Sequence, residues 1–168
     1  MRNNRLGWED YNMLLAVAAS LRSPDPNTQV GAYICTTMNR PLSNGYNGLP
    51  RGIEPDSISW AREHEDPLQT KYPFIAHAEK NAILNSTTSV TGAKLYVTLH
   101  PCHGCAIDVI QSGITEVIYL NNPYKDQWQT RAADRMLREA GIKVRQHTWD
   151  LRLMTINVQD LIVKIFGG

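Results

Sequence analysis

The chain has 168 residues, 42% of them hydrophobic, which is enough to bury one core of ordinary domain size. Its 17 Lys and Arg are matched by 16 Asp and Glu, so a net charge of +1 gives no electrostatic footprint for a dedicated nucleic-acid binder. The first ten residues lack the apolar core of a signal peptide and no apolar run approaches a membrane span, so the expectation is a cytoplasmic protein with no membrane partner.

In chain order, residues 8 to 22 carry Met13, Leu14, Val17, Ala18 and Leu21 at helical spacing, and Pro24-Asp25-Pro26-Asn27 stops that helix. Residues 30 to 36 and 41 to 46 read as strands joined at Met38-Asn39-Arg40, with Pro41 at a strand start and Cys35 as a small buried residue. Residues 47 to 75 are rich in Gly, Pro and charge, with a short helix expected from Ser57 to His64 capped by Asp56. An irregular insertion of that length is usually functional.

Helices are then expected over 76–85, over 102–112 ended by Gly113, and over 126–140 ended by Gly141. They alternate with strands over 94–99, 116–120 and 142–146. This series predicts an α/β fold of three layers, α/β/α, around a mixed five-stranded sheet: an opening hairpin, then parallel strands. A single domain over 1–168 is expected, with its catalytic core at about 8–146. The element at 147–168, with Leu151, Leu153, Ile156, Leu161 and Ile165, reads as a docked segment or a subunit contact.

The chemistry-bearing residues are His77-Ala78-Glu79 and Pro101-Cys102-His103-Gly104-Cys105, with Cys102 25 positions beyond His77. One imidazole and two thiolates make a three-ligand set for Zn²⁺, and such a set keeps a tetrahedral position open for water. Cys102 and Cys105 are three apart, on one face of a helix, and all three ligands fall at helix N-termini, where the macrodipole favours negative charge. Glu79, two residues past His77, reads as the proton shuttle and not a ligand. H-x-E followed by P-C-x-x-C is the pattern of zinc nucleobase deaminases.

Blander readings exist for the same residues. A C-x-x-C alone also suits a redox pair or half of a structural zinc knuckle. Three cysteines rule out a four-cysteine site, and His103, next to Cys102, points about 100° away from it on a helix and is a poor fourth ligand. Trp60 is as well suited to packing as to stacking on a base. His64, His100 and His147 read as surface or supporting residues, and Asn47 beside Gly48 reads on pattern alone as a turn residue.

Three longer segments extend the match. Ser23-Pro24-Asp25-Pro26-Asn27-Thr28-Gln29-Val30-Gly31-Ala32, Gly45-Tyr46-Asn47-Gly48-Leu49-Pro50-Arg51-Gly52 and Lys71-Tyr72-Pro73 precede His77. Together with Leu95-Tyr96-Val97-Thr98-Leu99 and Gln111-Ser112-Gly113-Ile114 they resemble the deoxycytidylate (dCMP) deaminases over roughly residues 8 to 146. The resemblance implies the cytidine-deaminase-like fold and hydrolysis of dCMP to dUMP and ammonia for thymidylate synthesis, with one catalytic Zn²⁺ held by His77, Cys102 and Cys105.

It also implies substrate contacts at Ser23, Asn27, Asn47, Ala78, Tyr124 and Lys125. Regulation by dCTP (activator, with Mg²⁺) and dTTP (inhibitor) is implied at Tyr46, Gly48, Leu49, Arg51 and Gly52, in a homo-oligomer such as a hexamer. The chain departs from the family where Pro24 stands for a usual lysine and Gly104 for a commonly acidic residue. Other readings are a zinc deaminase acting on modified dCMP, tRNA adenosine or single-stranded DNA, and a catalytically inactive zinc interaction domain.

Overall fold

The computed structural model describes residues 5–149. Five strands, β1 (Gly31–Cys35), β2 (Pro41–Tyr46), β3 (Lys94–Leu99), β4 (Glu116–Asn121) and β5 (Lys143–Gln146), form one sheet in the order β2-β1-β3-β4-β5. β1 runs antiparallel to β2 and β3, whereas β3, β4 and β5 are mutually parallel. Parallel neighbours need a crossover, and α3 (His103–Gln111) and α4 (Trp128–Glu139) supply it. The predicted mixed sheet, hairpin first, is therefore present.

The period-two alternation of the strands divides the core between the two faces of the sheet. Ala32, Ile34, Leu95, Val97 and Val117 pack with Ala78 and Ala82 of α2 (Ala78–Asn85), Ala106 and Val109 of α3, and Ala133 and Leu137 of α4. On the opposite face Tyr33, Cys35, Tyr96 and Ile118 pack with Met13 and Ala16 of α1 (Trp8–Ser20). Covered on both sides, all five residues of β1 are buried.

Some expectations are corrected. The helix expected at 57–64 is absent: a short 3₁₀ turn spans Pro55–Ser57, a second spans Pro67–Gln69, and the cap belongs to Asp66, whose side chain accepts from the Leu68 amide. An isolated two-turn helix is marginal. Here Trp60 is engaged otherwise: its indole donates to the Pro55 carbonyl at 3.0 Å and its own carbonyl accepts from Asn27 Nδ2 at 3.1 Å. α2 begins two residues later than expected and α3 one later, which makes His77 and Cys102 their N-caps. After β5, His147 still donates its amide to the Tyr119 carbonyl at 2.7 Å, and Trp149 packs on the α1-side core. The remainder of the element expected at 147–168 lies outside the described residues.

α2 is brought to its place by β2. A Cβ at Gly45 would lie 2.3 Å from the Ala82 nitrogen and 2.5 Å from the Ala78 carbonyl oxygen, so only glycine lets the strand approach the helix backbone this closely. Gly45→Ala therefore pushes α2 outward. Overpacking typically costs about 1 to 3 kcal/mol. The expected result is a lowered urea midpoint together with weakened metal retention, because α2 carries His77; an unchanged midpoint contradicts the close approach.

Candidate active site

The site forms where two extended segments turn into helices. Residue 76 is bridged to residue 48, with Gly48 N to Ala76 O at 3.1 Å and Ala76 N to Gly48 O at 2.9 Å, which fixes the approach to His77. His77 is extended (φ −74°, ψ 157°) and its carbonyl accepts the first helical bond, from Asn81 N at 3.0 Å. Cys102 does the same for α3, with φ −77°, ψ 173° and Ala106 N at 2.9 Å. Cys105 follows in the first turn of α3. Both sulfurs thus lie at the N-terminus of α3, whose free amides and positive dipole end favour thiolate, with His77 facing them from the start of α2.

The three candidate ligands converge. His77 Nδ1 lies 3.5 Å from Cys102 Sγ and 3.3 Å from Cys105 Sγ, and all three donor atoms lie within 4.8 Å of one another. Zn–S and Zn–N bonds of about 2.3 and 2.1 Å at a tetrahedral angle put N and S about 3.6 Å apart. The donor set therefore fits a tetrahedral zinc ion by spacing and by softness. Burial grades from an exposed His77 through Cys102 to a buried Cys105, so the ion would sit at the inner end of a surface pocket.

Protons are already unevenly shared there. Cys102 is drawn down to about 3, first by the hydrogen bond from the Cys105 thiol and then by His77, against its own desolvation. His77 is pushed up to about 9, first by its bond to Cys102. Cys105 is raised, first by Cys102 and then by burial. A metal that binds here displaces the protons of His77 and Cys105.

Glu79 is 4% exposed and outside the converging ligand set. Burial pushes its carboxyl up, and the neighbouring His77 only partly offsets this. A raised carboxyl beside a metal site has the character of a general acid-base group. The pocket over the site is lined by Ile75, Ala76, His77, Lys80, Cys102 and Cys105 among others, and Lys80 pairs with Asp108 at 3.3 Å on its rim.

The residues expected to meet substrate fall in two groups. Ser23, Asn27 and Asn47 are joined in one network: Ser23 Oγ donates to the Asn47 side-chain and main-chain oxygens at 2.8 and 2.9 Å. Asn47 Oδ1 also accepts from Val30 N at 2.7 Å, while Nδ2 donates to Thr28 O at 2.9 Å and to Asp25 Oδ2 at 3.3 Å. Asn47 thus reaches a ligand only by exchanging one of these bonds. Ala78 is fully buried, which leaves its backbone alone for contact. Tyr124 and the exposed Lys125 follow β4, on the loop that enters α4.

In the second expected cluster, Tyr46 accepts from Asn81 Nδ2 through its carbonyl at 2.8 Å, Gly48 bridges Ala76, Arg51 donates to Asn85 Oδ1 at 2.9 Å, and Gly52 is exposed with φ +86°. Leu49 is half-buried between them.

Sequence reasoning missed the hub under the loop. Asp25 pairs with Lys71, both almost wholly buried, and accepts from Asn27 N at 2.8 Å and Thr28 N at 3.2 Å as well. His100, read from the sequence as a surface or supporting residue, is buried before Cys102 with Nδ1 at 3.0 Å from the Pro101 carbonyl and Nε2 at 3.1 Å from Asp134. His103 is not drawn into the ligand set and lies against Trp128, ring centroids 4.9 Å apart.

Residues 6–121 match the family model for the cytidine and deoxycytidylate deaminase zinc-binding region. The chain belongs to this family of zinc-dependent deaminases. Within it, the chain is 43% identical over 148 residues to the deoxycytidylate deaminase of Mus musculus, covering 88% of this chain and 83% of that protein. It is likewise 43% identical over 146 residues to the deoxycytidylate deaminase of Homo sapiens, covering 86% and 82%. Among solved structures, the dCMP deaminase of cyanophage S-TIM5 in complex with dCMP and dUMP superposes with a TM-score of 0.68 at 28% identity, covering 88% of this chain and 99% of that one.

Two expectations follow for the site. Cys102→Ala and Cys105→Ala should each lose bound zinc in elemental analysis while Glu79→Gln keeps it; retained metal in both cysteine variants removes them from the ligand set. The second concerns Asp25. Burial alone raises its carboxyl, but Lys71 and the Asn27 and Thr28 amides outweigh that and hold it below its ordinary 3.8. A lowered folded pKa contributes stability above the unfolded value, lost as pH falls through the folded one. Asp25→Asn should cost about 3 to 5 kcal/mol near neutrality by leaving Lys71 buried and unpaired, and should flatten the loss of stability below about pH 4; urea midpoints from pH 3 to 7 measure both.

Proposed function

We propose that this chain hydrolyses dCMP to dUMP and ammonia. The observation that carries the reading is the His77, Cys102, Cys105 cluster with a buried Glu79 outside it, in a chain whose relatives in mouse and human are named deoxycytidylate deaminases. The structural neighbour that holds dCMP and dUMP supports the choice of base and sugar phosphate.

A bound zinc ion lowers the pKa of water to about 7 and so supplies the nucleophile at neutral pH. With zinc held by His77, Cys102 and Cys105, Glu79 would take a proton from the water that adds to C4 of the cytosine and pass it to the ring nitrogen N3. It would then carry the proton of the new C4 hydroxyl to the exocyclic amine as the C4–N bond breaks, leaving the C4 carbonyl and ammonia. One water is consumed and one C–N bond is exchanged for C=O. The raised carboxyl of Glu79 suits both directions of transfer.

Ser23, Asn27, Asn47, the Ala78 backbone, Tyr124 and Lys125 are assigned to substrate, and Tyr46, Gly48, Leu49, Arg51 and Gly52 to a regulatory nucleotide, dCTP with Mg²⁺ or dTTP. Support for the second site is mechanical: this segment is bonded to Ala76, Asn81 and Asn85, that is, along the whole of α2. A ligand that moves it pushes on the helix carrying Glu79. A homohexamer is the assembly assigned to it.

Glu79→Gln should retain zinc yet lose about 10²- to 10⁴-fold in turnover of dCMP, followed by absorbance; near-normal turnover rejects the mechanism. With wild-type protein, cytidine, adenosine and an oligonucleotide serve as competing substrates, and preference for any of them over dCMP overturns the reading. Titrating dCTP and dTTP against the dCMP saturation curve should shift half-saturation about 5- to 150-fold in opposite directions, and no shift with either leaves the Tyr46–Gly52 segment without a regulatory ligand.

A further inference from the structure

Resting on the dCMP reading, we infer that Arg62 is the cation that recognises the 5′-phosphate and so sets the preference for a nucleotide over a nucleoside. The starting point is a missing charge. Pro24 occupies the middle of the Ser23–Asn27 loop where a side-chain cation would otherwise stand, and the nearest replacement, Lys71, is buried and neutralised by Asp25. Lys80, at the pocket rim, is paired with Asp108 at 3.3 Å. A phosphomonoester carries close to two negative charges at neutral pH, and neither lysine is free to meet it.

Arg62 is free and is held in position. The two residues before it are pinned to the loops on either side: Asn27 Nδ2 donates to the Trp60 carbonyl at 3.1 Å, and Lys71 N donates to the Ala61 carbonyl at 3.1 Å. Its guanidinium Nε faces the Tyr72 hydroxyl at 3.5 Å, and the Tyr124 phenol lies beside the same group. Among the described residues no carboxylate lies within 4.0 Å of it, although Glu63 follows it in sequence.

The Arg62 guanidinium thus lies beside Tyr124, and the backbone two residues before it is held by Asn27, both residues that the reading above assigns to substrate. An exposed arginine without an acidic partner is commonly just solvated. Here its neighbours are two tyrosine hydroxyls and, one residue past Tyr124, the exposed Lys125. That is a set of donors around a fork-shaped cation, with the geometry that grips two phosphate oxygens at once.

The test compares kcat/KM for dCMP and deoxycytidine in wild-type protein, Arg62→Ala and Arg62→Lys. Loss of a charge-assisted bond costs roughly ten- to hundredfold in binding. Arg62→Ala should therefore lose that factor with dCMP, chiefly in KM, with a much smaller change for deoxycytidine, and Arg62→Lys should recover part of it. Inorganic phosphate should inhibit dCMP turnover by wild-type protein competitively and by Arg62→Ala more weakly. An unchanged ratio of dCMP to deoxycytidine in Arg62→Ala overturns the assignment, as does a variant altered only in its response to dCTP or dTTP. Wild-type protein that deaminates neither compound overturns the dCMP reading itself and the Arg62 assignment with it.

Discussion

The interaction on which the site's outer wall depends is the buried ion pair between Asp25 and Lys71. Two charges taken out of water are costly unless every lone pair and proton finds a partner. Asp25 meets that condition through the Asn27 and Thr28 amides and Asn47 Nδ2 in addition to Lys71. The consequence is geometric: one carboxylate ties together the loop after α1, the segment after β2 and the end of the insertion that leads into His77. None of these three is regular secondary structure, and their relative positions are set by this polar hub.

The inner wall is fixed differently. His77 and Cys102 are both N-caps, and each owes its place to backbone pairing of the segment before it: the Gly48–Ala76 bridge for one, β3 and its continuation through His100 for the other. The sheet sets where two helices begin, and the helix beginnings set where ligands point. Placing both thiols at the N-terminus of α3 also lowers the cost of holding negative charge in a partly buried pocket. Cys102 is drawn well down by its hydrogen bonds with Cys105 and by His77.

The convergence of His77, Cys102 and Cys105 was legible in the sequence because metal chemistry demands fixed residue types at fixed spacing. The mixed sheet, hairpin first and parallel strands after, was legible for a related reason, since the alternation of short strands and helices admits few crossover arrangements. The insertion was not. Ser57 to His64 looks helical only by local propensity, and bonds from Trp60 to Pro55 and from Asn27 to Trp60 decide its path. Lys71 illustrates the limit best: a lysine in a charged loop reads as solvated, and only a partner 46 residues away in sequence makes it a buried structural group. Side chains whose role is set by a distant partner carry no periodic or spacing signal.

α2 has only eight residues, too few to be stable alone in water. Its position is therefore borrowed from β2 and the segment after it: Gly45 touches its backbone, Ser43 Oγ donates to the Ala82 carbonyl at 2.6 Å, Asn81 reaches the Tyr46 carbonyl, and Arg51 reaches Asn85. Each of these contacts is short and most are polar, so they switch between made and broken and do not stretch gradually. α2 is thereby tied both to the 46–52 segment and, through Ala78 and Ala82, to the core that also holds α3 and α4. Any regulation of this site would then act by moving the imidazole and the carboxylate relative to the two sulfurs, a change of distance within the ligand set that the metal is well suited to register.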